Sequence, residues 1–588
     1  MSNKISRREL IKNTLASLGA ISLPIGVTAC SGDDASNNDM KVQFLHGVAS
    51  GDPLQERVIL WTRVTPDDPS LNFNIRWEVA TDTGFKNVVS SGEARTSSSR
   101  DFTVKVDVLN LVAGTTYYYR FSFGQVYSPV GRTKTLALNT SQVNFAVCSC
   151  ANYPAGYFFV YREIAKNECD AVIHLGDYIY EYGVNEYGTK DAVRLGRTFA
   201  PDNQAEAYRL EDYRKRYALY RTDPDLQAAH HRHPFIVIWD DHELADDAWR
   251  NGALNHQPDK EGDFITRRTV ALKAYFEWMP IRENTIDDYF NIYRQFKFGQ
   301  LVELNMLDTR MLARDEQLSY ENFMNAQGVL DAERFQAALF DPNRRLMGET
   351  QLNWLSSKIQ SSNSVWNVLG QQVLMAKMLV PIEFLGILAE VRNGQADEAF
   401  LARAQALLIE LVGIKTRYLQ NDPTLTDAEK ARVLTVVPYN LDAWDGYPAE
   451  RERVYALYKQ ANKKVVVLAG DTHNGWESTL NDSSGSFVGV ELATSSISSP
   501  GIEEYLDLPQ QQMQEFEQVF QTLIDELNYC NLNQRGYVSV TFEQTRVVSN
   551  WIYVSDIKTK EYRVDVERGH QQTFDTNLNK LPVVNQAS

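Results

Sequence analysis

Ala171-Val172-Ile173-His174-Leu175-Gly176-Asp177-Tyr178-Ile179-Tyr180 begins as a short, solidly apolar run and ends in a glycine, an acid and two phenols. A run of this kind, with no polar alternation, suits a strand buried on both faces of a sheet. The same grammar recurs on either side of it. Phe145-Ala146-Val147 leads into Cys148-Ser149-Cys150-Ala151-Asn152, Phe235-Ile236-Val237-Ile238 into Trp239-Asp240-Asp241-His242-Glu243, Leu301 to Leu307 into Asp308-Thr309-Arg310, and Val465-Val466-Val467-Leu468 into Ala469-Gly470-Asp471-Thr472-His473. Helical stretches lie between the runs, among them Glu211 to Tyr220, Arg267 to Trp278 and Ala399 to Tyr418. The expected fold is α/β (α+β), with layered β-sheets flanked by helices over residues 141–560. Within it, 382–436 reads as a helical insertion without a chemical cluster, and 561–588 as a C-terminal tail.

Upstream the pattern is different. Residues 41–136 hold short alternating strands such as Ile75-Arg76-Trp77-Glu78-Val79 and Tyr117-Tyr118-Tyr119-Arg120-Phe121, separated by turns. That spacing predicts an N-terminal fibronectin/Ig-like β-sandwich. Leu111 to Tyr117 resembles the turn and tyrosine corner of such sandwiches, and the segment carries no cluster of chemically active residues.

Function is legible at the ends of the five apolar runs. In α/β sheets, sites form beyond the carboxyl ends of the strands. Each ending alone has an ordinary explanation: a capping aspartate, a solvated helix start, a small buried thiol. Five such endings at equivalent positions make a site the simpler account. Carboxylates and a phenol are hard oxygen donors, while one thiol and one imidazole are softer; the mixture suits trivalent iron beside a divalent metal better than structural zinc. Two metals ~4 Å apart clamp a phosphate and lower the pKa of a bound water. Asp177, at a strand end, is best placed to bridge them.

Ser149-Cys150, Gly176-Asp177-Tyr178-Ile179-Tyr180, Trp239-Asp240-Asp241-His242-Glu243, Trp444-Asp445-Gly446-Tyr447 and Gly470-Asp471-Thr472-His473 together resemble the PhoD-like alkaline phosphatases, a calcineurin-like metallophosphoesterase family related to purple acid phosphatases. The resemblance runs from Phe44-Leu45-His46-Gly47-Val48-Ala49-Ser50-Gly51-Asp52-Pro53 to Arg535-Gly536-Tyr537. It implies metal ligands at Cys150, Asp177, Tyr180, Asp241, Asp471 and His473, with Asp177 the bridge and Tyr180 and Cys150 on ferric iron. It also implies a catalytic histidine at His242, and Fe(3+) with Ca(2+) as cofactors, another divalent metal being an alternative. Asn152 and Arg310 are candidates for phosphate contacts and equally for structural hydrogen-bond donors.

The ends and the composition agree with a phosphoesterase working outside the cell membrane. Ser6-Arg7-Arg8 precedes an apolar stretch, as in a twin-arginine export signal read by the twin-arginine export machinery, and Val27-Thr28-Ala29-Cys30 resembles a lipoprotein processing box. Residues 1–29 are then the signal, Cys30 the lipid attachment and 30–40 a tether; the mature protein would be a membrane-anchored lipoprotein facing the periplasm or the extracellular side. Removing residues 1–29 takes away Lys4, Arg7, Arg8, Lys12 and Glu9, a net of +3, and moves the formal charge from −17 to −20. An acidic surface of this kind excludes a nucleic-acid-binding face, and phosphate chemistry then needs a concentrated local positive charge, for which metal ions are the natural source. No Gly-x-Ser-x-Gly elbow is present, which excludes that serine-hydrolase architecture. The rivals to a phosphate mono- and/or diesterase acting on small phosphate esters are a phospholipase D-like diesterase and a non-catalytic metal-binding surface lipoprotein.

Overall fold

The five apolar runs do form strands, but in two sheets. The computed structural model describes residues 41–582, apart from 284–288, 327–328, 393–397 and 507–509. The expected signal, Cys30 and the tether lie outside the described residues. Gln142–Cys148, Ala171–His174 and Pro234–Val237 lie side by side and parallel, with Phe145 opposite Ala171 and Val172 opposite Phe235. They are the centre of a ten-stranded sheet. Val302–Met306 and Val465–Ala469 belong to a seven-stranded sheet, where Trp366–Gly370 runs between them and Phe487–Ala493 lies beyond, all four parallel.

The two sheets pack face to face. Phe145 of the first meets Phe298 of the second with ring centroids 5.0 Å apart, and Val147, Val538 and Val540 share a buried cluster with Leu304, Val368, Val466 and Val490. The period of two divides each strand: Val466 and Leu468 face this inter-sheet core, while Val465 and Val467 face a second one built with Tyr455 and Tyr458 of helix Pro448–Gln460 and Phe520 of helix Gln510–Leu523. Helices Phe159–Lys166, Leu210–Tyr220, Pro224–Arg232 and Phe264–Trp278 add their buried residues to the core of the ten-stranded sheet. Solid apolar runs follow from this layering, since each central strand is covered on both faces. The result is a mixed α/β fold.

Two features go beyond the sequence reading. Part of the N-terminal segment is continuous with the large sheet: Val48–Gly51 pairs in parallel with Pro234–Val237, so Val48–Gly51, Val58–Arg63 and Thr103–Val108 extend the ten-stranded sheet. Of its other strands, Val42–Gln43 pairs with Thr65–Pro66, and Phe73–Ala80, Val88–Thr96, Thr116–Phe123, Val126–Tyr127 and Gly131–Lys134 make a separate five-stranded sheet. The Tyr117 hydroxyl accepts a bond from the Val112 N–H at 2.9 Å, the contact that defines a tyrosine corner. Val42 to Ser588 is one compact unit. Second, 561–588 is not merely a tail. His570–Asp575 pairs antiparallel with Arg546–Val554, and Phe574 is buried; one apolar anchor among polar residues was too weak a strand signal to read. The 382–436 stretch carries helices Ile382–Arg392, Glu398–Leu419 and Asp427–Leu434, closed at its base by pairing of Leu379–Pro381 with Val436–Pro438.

Candidate metal centre

Three central strands, Gln142–Cys148, Ala171–His174 and Val465–Ala469, hand over to turns that hold left-handed residues. Cys150, Asp177, Asp471 and His473 all have left-handed backbones, with φ of 61°, 55°, 67° and 62°. Non-glycine residues rarely adopt this conformation, and such strain gathers at functional sites. Gly176 (φ 110°) lets the turn approach the next one: a Cβ there would sit 2.4 Å from that of Asp240. Glu243 fastens the two turns, its carboxylate accepting the N–H groups of Asp177 (3.0 Å), Tyr178 (2.6 Å) and Asp240 (2.8 Å). The end of the Trp-Asp-Asp-His-Glu motif is therefore a backbone clamp.

The expected ligands converge. Donor atoms of Cys150, Asp177 and His473 lie within 4.8 Å of one another, as do those of Asp177, Asp241 and His242, and those of Asp240, Asp241 and Asp471. Asp177 belongs to the first two groups, the position a bridging carboxylate requires. The Tyr180 hydroxyl lies 2.9 Å from Asp177 Oδ2 and 3.1 Å from His473 Nε2, and it accepts from Ser499 Oγ at 2.7 Å. His473 Nδ1 donates to the Pro500 carbonyl at 2.6 Å, which leaves Nε2 with its lone pair turned to the cluster.

These residues suit cations electrostatically as well as geometrically. Burial, reinforced by neighbouring acids, pushes the carboxyls of Asp177 and Asp471, the Cys150 thiol and the Tyr180 phenol far up, while burial drives His473 down to about 3. The carboxylate oxygens Asp240 Oδ2 and Asp241 Oδ1 are buried without a hydrogen-bond partner. Orphaned buried oxygens are costly. Cations among them would remove that cost and hold thiol and phenol deprotonated.

Arg310 is placed differently from a phosphate contact. Its buried guanidinium bonds Asp240, Asp442 (2.7 Å) and Asp471 (3.2 Å), and lies 3.6 Å from Asp241. Against burial, Arg310 and His242 hold Asp241 down at about 2, whereas Asp240, pushed up by burial, sits at about 7. Arg314 joins Asp442 from the far side. Asn152, the other candidate, is buried with its amide against Gly188 and Nδ2 unpartnered, and its backbone carbonyl accepts from Ser498 Oγ at 2.7 Å.

His242 faces the cluster. Its Nδ1 meets Glu181 Oε2 at 2.8 Å, its ring stacks on Tyr180 at 4.2 Å between centroids, and its Nε2 is 3.8 Å from Asp246 Oδ1, beyond hydrogen-bond reach. Burial alone would lower its pKa, but Asp241, Glu181 and Asp177 raise it well above the usual value. Glu181 is itself fixed by the Asp246 N–H (2.9 Å) and Asn255 Nδ2 (2.8 Å).

Sequence reasoning passed over Glu181, Ser499, Pro500, Tyr187 and Asp442. The Tyr187 hydroxyl reaches both His473 Nδ1 (3.0 Å) and the Pro500 carbonyl, joining two loops across the imidazole. Thr494-Ser495-Ser496-Ile497-Ser498-Ser499-Pro500 follows the strand Phe487–Ala493, whose Gly489 and Glu491 broke the apolar run that would have revealed it. Trp444-Asp445-Gly446-Tyr447 is scaffold: Trp444 Nε1 donates to Gln371, Asp445 accepts the Met378 N–H, and Tyr447 donates to the Asp315 carbonyl.

Comparison with known proteins bears on the same residues. The family model described as PhoD-like phosphatase matches residues 145–551, and that of the PhoD-like phosphatase N-terminal domain matches 29–137. Alkaline phosphatase D of Bacillus subtilis (strain 168) is 35% identical over 521 residues, spanning 85% of this chain and 77% of that protein. A solved structure described as that of PhoD superposes with a TM-score of 0.71 at 31% identity, covering 94% of each chain.

Proposed function

We propose that this chain, which belongs to the PhoD-like phosphatase family, is a metal-dependent phosphoric ester hydrolase acting on phosphate monoesters and/or diesters. One observation carries the reading: thiol, phenol, imidazole and carboxylates from both sheets meet within bonding distance of a shared space, with buried oxygens left unpartnered. Cys150, Asp177, Tyr180, Asp241, Asp471 and His473 would hold Fe(3+) on the Cys150 and Tyr180 side and Ca(2+), or another divalent ion, toward Asp241 and Asp471. The chemistry such a pair supplies is neutralisation of phosphoryl charge and activation of water near neutral pH.

The chain's own residues do the rest. Ser499 and Asp177 fix the Tyr180 oxygen, and Pro500 fixes the His473 tautomer. His242, with Nδ1 anchored on Glu181, presents Nε2 to the cluster and can deliver a proton from that atom to the leaving oxygen. Bound cations would offset the pull of Asp177 and Asp241 on this imidazole, leaving Glu181 as the partner that keeps it charged. Arg310 holds the carboxyl groups of Asp240, Asp241 and Asp471 together instead of touching substrate.

The strands of 42–134 are read as a fibronectin-like support that shares a sheet with the catalytic part. The N-terminal sequence supports export by the twin-arginine route and anchoring through Cys30, with the catalytic part outside the membrane. Fractionation of cells expressing Cys30→Ala should find the protein released; full membrane retention would end the lipoprotein reading. For the catalytic reading, metal content, colour and rates on a phosphomonoester, a phosphodiester and a phospholipid are to be measured on one preparation. The expected result is iron with a divalent partner, a visible phenolate-to-iron band lost in Tyr180→Phe, and hydrolysis of the small esters. A colourless, iron-free, fully active protein would replace this centre with a purely divalent one; preferred cleavage of the phospholipid would favour the lipid diesterase. A metal-replete protein inert on all three esters would overturn the hydrolase reading.

A further inference from the structure

Five arginines are buried to below 2 % exposure: Arg216, Arg221, Arg267, Arg310 and Arg314. Four are well provided for. Arg216 donates to the carbonyls of Tyr180, Tyr182 and Ala205 and to Asn203; Arg267 pairs with Glu206 and Glu261; Arg310 and Arg314 share Asp442. Arg221 stands apart. Its side chain makes one hydrogen bond, from Nη1 to the Tyr178 hydroxyl at 3.2 Å, while Nε and Nη2 are buried with no partner. Among the described residues no carboxylate comes within salt-bridge distance of it. The acid nearest in sequence, Asp223, is taken up by Arg197 at 2.7 Å and by the N–H groups of Asp225 and Leu226.

The surroundings supply donors and no negative charge. The Trp61 ring lies under the guanidinium, 4.4 Å from its carbon to the ring centroid. The Tyr178 hydroxyl, which accepts from Arg221, also lies 2.8 Å from His230 Nε2, and His230 Nδ1 has no partner. The hydroxyls of Tyr119 and Ser50 are buried beside one another in the same region. Burial, then the Arg63 and Arg221 charges, keeps His46 near 3, and burial with the Arg221 charge keeps His231 near 4, so both imidazoles are neutral. Gly131, close against the Tyr119 phenol, and His231 also line a surface crevice of ≈ 830 Å³ together with Arg132, Glu168 and Arg232. A buried charge is found paired or hydrogen-bonded; among the described residues Arg221 has one hydrogen bond, one ring face and no counter-charge.

We propose that the Arg221 guanidinium holds a small monovalent anion of halide size, at the junction of the N-terminal strands (Ser50, Trp61, Tyr119) with the turn that carries Asp177. The anion would take the free Nε and Nη2 donors, and through Tyr178 its binding would steady the turn that presents a metal ligand. A halide suits this setting because it is small and monovalent and asks only for donors, which the free Nε and Nη2 supply.

Crystals of the metal-loaded protein soaked in bromide provide the direct test. One anomalous peak within hydrogen-bond distance of Arg221 Nε or Nη2 is expected; density for water only, or none, would overturn the proposal. In solution, chloride or bromide should raise the unfolding midpoint over gluconate at equal ionic strength by on the order of 2 °C, saturating with concentration. Arg221→Met should abolish that increment. An equal midpoint in halide and gluconate, or the same increment in the variant, would refute the site, and if the variant fails to fold the wild-type bromide map decides.

Discussion

Arg310 and Arg221 are equally buried and oppositely surrounded. Arg310 lies among the carboxyl groups of Asp240, Asp241, Asp442 and Asp471, so acids outnumber the cations around it. Around Arg221 there is a phenol, an indole and neutral imidazoles, and the excess is positive. The contrast shows how a chain of formal charge −17 can carry two sites of opposite demand. Global charge says little about either, because in a low-dielectric interior the nearest few groups decide. What marks a site in both places is an unpartnered polar atom: Asp240 Oδ2 and Asp241 Oδ1 in one, Arg221 Nε and Nη2 in the other.

The largest effect should come from breaking the acidic side of the comparison. Proton delivery by a placed side chain is worth about 10²–10⁴ in rate. His242→Ala should lose kcat in that range while keeping its metals, and Glu181→Gln, which retains the shape but not the charge behind Nδ1, should lose less. Loss of metal with activity in His242→Ala would make the imidazole a ligand instead. Next comes Arg310→Met, which leaves Asp240 buried without its cation and Asp442 with Arg314 alone. Removing one partner of a buried pair typically destabilises by roughly 3–5 kcal/mol. Denaturant unfolding of the metal-loaded variant measures this, and a stability equal to the wild type would mean that the acids are held neutral and that Arg310 compensates nothing.

Much of this was readable from sequence, for physical reasons that particular residues illustrate. A strand covered on both faces has no choice but to be solidly apolar, so Phe145-Ala146-Val147 and Val465 to Leu468 announced themselves, and with them the Cys150, Asp177, Asp241, Asp471 and His473 turns. Where a strand carries a buried polar group the signal fails. Glu491 interrupts Phe487–Ala493 because its carboxylate accepts the Met375 and Ala376 N–H groups, and Ser499 and Pro500 went unread with it. Pairings distant in sequence are equally silent: nothing local in Val48–Gly51 tells that it joins Pro234–Val237, and nothing near Arg310 or Glu181 names Asp442 or His242 as partner. Arg221 is the extreme case, since its singularity lies in what does not surround it.

The smallest effect tests the positive side. His231 is partly buried, its Nε2 unpartnered, and burial together with the Arg221 charge holds its pKa near 4. In the unfolded chain it would titrate near 6.5. Above that pH both states are neutral and the residue contributes nothing to the slope. Between about 6.5 and 4 the unfolded state binds a proton that the native state refuses, so stability falls as the pH falls, by at most about 1.4 kcal/mol per pH unit. Other buried groups act in the same window: His46 and His233 in the same sense, and Asp240 and Glu491, held near 7 and 8, in the opposite sense, because they take up protons on folding. Comparing wild type with His231→Gln cancels those shared contributions. The variant should lose less stability between pH 6.5 and 5 than the wild type, by ~1 kcal/mol after allowance for partial solvent access. Chloride should shrink the difference relative to gluconate, since an anion beside Arg221 would ease the repulsion that keeps His231 neutral. Identical acid slopes for the two proteins would show that His231 does not feel the buried charge, and the contrast between the two arginines would then rest on hydrogen bonding alone.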